Sequence, residues 1–148
     1  MNKFNRSKLY ETQVINEDGL DGYSFVNRRD GLRVVVSHPT NDKPGTNPEE
    51  LFGLAQATCL NTTIKTLLKN EKEHPSRVTV DVQYMREENK PGTYFQVDIS
   101  VAIKNLPLDE VEKIAHEAES YCPVSKLVAN SETVSLKVIP YEDNVAEI

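Results

Sequence analysis

Two cysteines, Cys59 and Cys122, are the side chains best suited to chemistry in this chain of 148 residues. A thiol attacks only as its thiolate, so a reactive cysteine needs surroundings that lower its pKa from about 8.5. A thiolate that breaks a peroxide O–O bond is left as a sulfenic acid, which a second thiol rescues by condensing to a disulfide. Cys122, 63 residues further on, is the only candidate for that second thiol. The same residues also have a plain reading, because an isolated cysteine commonly packs as a small buried hydrophobe. Position alone leaves both readings open.

Composition narrows the classes. The net charge is −6, with lysines and arginines scattered through the chain. That pattern excludes the basic stripe of a nucleic-acid binder and the basic face that seeks anionic membranes. No apolar run approaches the roughly 18 residues that span a bilayer. The basic start Met1-Asn2-Lys3-Phe4-Asn5-Arg6-Ser7-Lys8 lacks the apolar stretch of a signal peptide. A cytoplasmic address is therefore expected, where a permanent disulfide is disfavoured. His38, His74 and His116 show no metal-ligand spacing with the cysteines, so no metal is expected. The length suits a single domain, 1–148.

The elements that must position the sulfurs are legible. Residues 8–15 alternate as a strand, Tyr23 to Val26 forms a second, and Leu32 to Ser37 a Val-rich third. Asn27-Arg28-Arg29-Asp30-Gly31 is the hairpin turn between the latter two. Asn47, Pro48, Glu49 and Glu50 supply a cap, a first-turn proline and acidic first-turn residues for a helix running to about Lys69. Cys59 falls in its middle, where the macrodipole contributes little. The apolar residues of this helix wrap most of its circumference, which predicts burial on most sides and a partner subunit to help supply it.

Val78 to Met85 and Phe95 to Ile103 alternate as a long hairpin around Asn89-Lys90-Pro91-Gly92. Leu108 to Cys122 is amphipathic, with Leu108, Val111, Ile114, Ala115, Ala118 and Cys122 on one stripe. Pro123 ends or kinks it, and Val124 to Ala129 adds a further turn or two. Thr133 to Ile139 is a last strand, and the acidic tail from Glu142 is expected to fray. The order βββ-α-ββ-α-β indicates an α+β fold with largely antiparallel sheets.

Two segments resemble a known family. Gly45-Thr46-Asn47-Pro48-Glu49-Glu50-Leu51-Phe52, followed by Ala57-Thr58-Cys59-Leu60, is similar to the hallmark of the OsmC/Ohr proteins. So is Cys122-Pro123-Val124-Ser125-Lys126-Leu127, whose Val-Ser looks closer to the OsmC branch than the Tyr-Ser usual in the Ohr branch. The resemblance implies an intertwined homodimer built around long central helices, with two sites at the subunit interface. It implies reduction of organic hydroperoxides, with Cys59 peroxidatic, Cys122 resolving, and an intramolecular disulfide between them. It implies recycling by a small dithiol or a lipoylated protein, with no bound cofactor. Glu49 matches the family glutamate that holds a catalytic arginine by a charge-assisted hydrogen bond.

The resemblance departs at that arginine. The family carries it in a Gly-Arg-Asp-Gly-like turn, where this chain has Gly19-Leu20-Asp21-Gly22, or on the strand before the Asn-Pro-Glu loop, where it has Ser37 and His38. Arg33, four residues before Ser37 and on the same face of that strand, could substitute, as could Arg28 or Arg29 of the preceding turn. Arg28 and Arg29 read as surface charges, and His38 would serve if protonated. Glu49 lies about 15 Å from Cys59 along a straight helix, so it reaches that sulfur only if two such helices run antiparallel in a dimer. Phe52, Tyr121 and Leu127 are candidate pocket linings. Two other functions stand beside the peroxidase: a repurposed member of the fold binding a small apolar ligand at the dimer interface, and an interaction domain whose cysteines merely pack.

Overall fold

The structure, a computed structural model, describes residues 6–144. The described residues fall into two compact units, 6–48 and 49–144.

In the first unit β1 (Val14–Asn16), β2 (Gly22–Val26) and β3 (Arg33–Val36) form one antiparallel sheet in the order β1-β2-β3. Asn16 organises the first turn: its side chain donates to the Gly19 carbonyl at 2.9 Å and accepts from the Gly19 N–H at 2.8 Å. Gly19 sits there at φ 63°, which glycine adopts without a Cβ clash. The loop after β3 folds back on it, with Thr46 N donating to the Val35 carbonyl and Ser37 N to the Thr46 carbonyl. The strand expected over 8–15 is shorter and starts at Val14. Leu9 and Tyr10 are 95% and 75% exposed, so in the single chain their alternation has no surface to bury against.

The second unit holds α1 (Pro48–Leu67), β4 (Ser76–Met85), β5 (Tyr94–Ile103), α2 (Leu108–Tyr121), α3 (Pro123–Leu127) and β6 (Val134–Val138). β4 and β5 pair antiparallel in full register from Ser76↔Ile103 to Met85↔Tyr94. β6 joins the other edge of β5 in parallel, Val97↔Val134 through Val101↔Val138. A parallel neighbour needs a crossover, and α2 with α3 provides it. The fold is thus α+β and mostly antiparallel, with one parallel pair.

The core is continuous across these elements. Leu60, Ile64 and Leu68 from the α1 segment meet Val97, Ile99, Val101 and Ile103 of β5, Val111, Ala115 and Ala118 of α2, and Cys122. On α1 only Gln56, Leu60 and Ile64 are fully buried, at a spacing of four. The near-complete wrapping expected for this helix is therefore reduced to a stripe in the single chain, and Leu54 is 64% exposed. The tail also differs from expectation. Arg77 donates to the Glu142 carbonyl at 2.8 Å and stacks over Tyr141, while Lys104 pairs with Asp143 at 2.7 Å. These bonds hold residues 141–143 on the unit; residues 145–148 lie outside the described ones.

Asp98 on β5 receives hydrogen bonds from Ser135 of β6 at 2.7 Å and from Gln96 at 3.1 Å. They hold its carboxyl below the ordinary carboxylate pKa. A depressed folded pKa gives stability that is present above the unfolded value and lost as pH falls through the folded one. Ser135→Ala is expected to raise the Asp98 pKa, read by carboxyl carbon NMR titration; an unchanged titration would exclude the serine as its cause.

Candidate functional site

Cys122 is placed by its neighbour. Proline disfavours the helical region for the residue before it, and Cys122 has φ −69° and ψ 118°. α2 stops there, although the Cys122 N–H still donates to the Ala118 carbonyl at 2.8 Å. The chain then re-enters a helix at Pro123, whose missing N–H is not needed in a first turn. One residue thereby caps both helices, and its side chain is turned into the core, where it is fully buried.

Cys59 approaches from α1. Its sulfur lies 3.2 Å from that of Cys122, and both thiols are free. A disulfide needs about 2.04 Å, so oxidation requires a shift on the order of 1 Å rather than a rearrangement of elements. Cys59 is partly exposed and Cys122 is not, which leaves Cys59 as the sulfur that solvent and solutes reach.

The two sulfurs differ in their donors. Burial pushes the Cys59 thiol up; the Val124 N–H pulls the other way, and Cys122 beside it adds to the rise, so the net direction is upward. Burial also pushes Cys122 up, but the Ser125 hydroxyl, the Ser125 N–H, Cys59 and the Val124 N–H together outweigh it, and its pKa is lowered. The Ser125 N–H lies 3.5 Å from the Cys122 sulfur.

Gln56 completes this arrangement and was not foreseen from sequence. Its amide nitrogen donates to the Ser125 hydroxyl oxygen at 3.0 Å and sits 4.0 Å from the Cys122 sulfur. It is fully buried, and its Oε1 has no hydrogen-bond partner among the described residues. The signal available in the sequence was a lone amide among the apolar residues from Leu51 to Leu60, which must find a partner when buried.

Glu49 is half-buried in the first turn of α1, ten residues before Cys59. Arg33 belongs to β3 in the first unit, where its guanidinium stacks 3.9 Å over the Tyr23 ring. Phe52 packs against the core, whereas Tyr121 and Leu127 are 59% and 85% exposed.

Comparison with known proteins agrees with this picture. The family model described as OsmC-like protein matches residues 40–137. An "organic hydroperoxide resistance protein-like" protein of Staphylococcus aureus (strain MSSA476) is 32% identical over 133 residues, covering 87% of this chain and 94% of the relative. The crystal structure of a proposed redox protein from Lactobacillus casei superposes with a TM-score of 0.80 at 34% identity, over 93% of this chain and 96% of that one. That of the organic hydroperoxide resistance protein OhrB of Bacillus subtilis gives 0.77 at 25% identity, over 90% and 100%. With a buried Cys-Pro sulfur meeting a mid-helix cysteine, and a family match that contains both, this chain belongs to the OsmC/Ohr family.

Proposed function

We propose that the protein is a thiol-dependent peroxidase that reduces organic hydroperoxides through Cys59 and Cys122. The observation that carries this reading is the 3.2 Å approach of two free sulfurs that are 63 residues apart in the chain. The Cys59 thiolate attacks the outer oxygen of the hydroperoxide and the alcohol leaves, giving a Cys59 sulfenic acid. Cys122 thiolate then attacks that sulfur, hydroxide leaves, and a disulfide forms. A dithiol, free or lipoyl-borne, returns two electrons and restores both thiols. No bound cofactor is needed. The apolar surroundings of the pair favour alkyl or lipid hydroperoxides, whose tails gain from burial.

A cation beside Cys59 would offset the upward push on its thiol in the first step. Arg33, held by Glu49, is the proposed source. The exposed side of α1, which includes Leu54, supports a homodimer in which a second copy covers that helix. The chain is proposed to act as one domain in the cytoplasm, without nucleic-acid or membrane partners.

Turnover of tert-butyl hydroperoxide with dihydrolipoamide tests the reading. Stoichiometric peroxide is expected to remove two hydrogens per chain by intact mass, and catalytic turnover should follow. Oxidation without turnover by any dithiol would favour the apolar-ligand binder instead. Mixed dimers of Glu49→Ala with Cys59→Ser should retain one complete site if sites are shared between chains.

A further inference from the structure

The two sulfurs of the pair are not equivalent as targets for a reductant. Cys122 has no exposed surface, whereas Cys59 is partly exposed. Thiol–disulfide exchange needs the attacking thiolate in line with the bond being broken, and it runs faster when the sulfur that leaves is the more acidic one. Access and leaving ability therefore decide which sulfur is attacked.

The buried side chains around Cys122 bear on the second of these. The Gln56 amide fills an acceptor position of the Ser125 hydroxyl with an N–H, at 3.0 Å. The hydroxyl proton is then free to point at the Cys122 sulfur, which the Ser125 backbone N–H also approaches at 3.5 Å. Reversing the amide would put its oxygen on the hydroxyl proton, taking that proton off the sulfur and leaving two buried N–H protons without an acceptor. The unpartnered Oε1 of Gln56 is the counterpart of the donor orientation. An orphaned buried acceptor is costly, and in this orientation the contacts of the amide are made by its donor end.

We infer that Gln56 and Ser125 are positioning residues that make Cys122 the leaving sulfur, so that the external reductant attacks the disulfide at Cys59. This rests on the dithiol reading above and adds its direction. In the step, a reductant thiolate forms a bond to the Cys59 sulfur, the Cys59–Cys122 bond breaks, and its electron pair departs on Cys122 as a thiolate. The reductant's second thiolate then attacks the reductant sulfur of the mixed disulfide. Cys59 leaves as a thiolate, the reductant is released as its own disulfide, and the two protons the reductant lost are available to the cysteines. The lowered pKa of Cys122 and the raised one of Cys59 agree with this direction.

The test uses the full-length protein oxidised with diamide, which makes the disulfide without any peroxide. One equivalent of 2-mercaptoethanol is added, the freed thiol is trapped with N-ethylmaleimide at acid pH, and the peptides are mapped by mass spectrometry. The mercaptoethanol adduct is expected on Cys59 and the maleimide on Cys122, by about tenfold or more over the reverse. Ser125→Ala and Gln56→Leu should each bring the ratio toward parity and slow the release by about tenfold, the loss of one hydrogen bond to a charged group. In a Cys59→Ser background, Ser125→Ala should also move the Cys122 thiolate absorbance titration upward, which a purely structural serine would not do. An adduct mainly on Cys122, or a ratio and titration indifferent to both variants, would overturn the inference while leaving peroxide turnover intact. Failure of peroxide to oxidise the pair would remove the peroxidase reading, and the diamide result would still judge this one.

Discussion

Cys59→Ser is expected to lose hydroperoxide turnover by about a thousandfold or more, the scale seen when an enzyme's nucleophile is removed. Cys122→Ser is expected to stop differently, after one oxidation per chain. In the first variant nothing remains that reaches solvent and breaks the O–O bond, since Cys122 is wholly buried. In the second the sulfenic acid forms but no sulfur waits 3.2 Å away to condense with it. Dimedone should label that variant at Cys59, and excess peroxide should carry it on to the sulfinic acid, which the wild type resists. Steady-state rates and intact masses of both variants decide the matter. Equal residual turnover in the two would mean that the roles are not divided as proposed.

The second large effect is on folding. Ile64→Ala is expected to cost about 2–5 kcal/mol, as cavity-forming substitutions at fully buried aliphatic sites do. Ile64 is 0% exposed and lies in the cluster that joins α1 to β5 and α2. Total stabilities run at about 5–15 kcal/mol, so this one change would remove a large share. Leu127→Ala is the control: the residue is 85% exposed and should move stability by about 0.5 kcal/mol or less. Urea titration would show a lower midpoint with unchanged slope for Ile64→Ala and almost no shift for Leu127→Ala. A loss of under about 1 kcal/mol at Ile64 would mean that the core closes around the gap.

Much of this framework was written in local sequence signals. Asn47-Pro48-Glu49-Glu50 marks the start of α1, which begins at Pro48. The turn at Asn89 to Gly92 separates β4 from β5 as its residues require, with Asn89 and Gly92 both at positive φ. Cys122-Pro123 ends α2 for the steric reason that any residue before proline meets. These features depend on neighbours in the chain, and neighbours can be read.

What was missed depends on distant partners. Gln56 and Ser125 are 69 residues apart, and no periodicity relates them. The parallel pairing of β6 with β5 was equally hidden, because alternation sets the faces of a strand and not the direction of its neighbour. Residues 8–13 carry the alternation of a strand, yet the strand itself begins at Val14, with the Gln13 carbonyl accepting from the Asn27 N–H just before it. The meeting of the cysteines came from resemblance to a family; their spacing in the chain does not contain it.

The parallel seating of β6 has a consequence for biosynthesis. The crossover that carries Cys122 is anchored on both sides only when β6 has taken its place beside β5, and strands paired over long separations form late. While the ribosome is still extending the polypeptide, α1 and the β4–β5 hairpin are already complete and Cys59 has no companion sulfur. Under the proposed mechanism, a sulfenic acid formed on Cys59 of nascent protein has no second thiol to condense with before it passes to the sulfinic stage, and that protection arrives only with the closing segment.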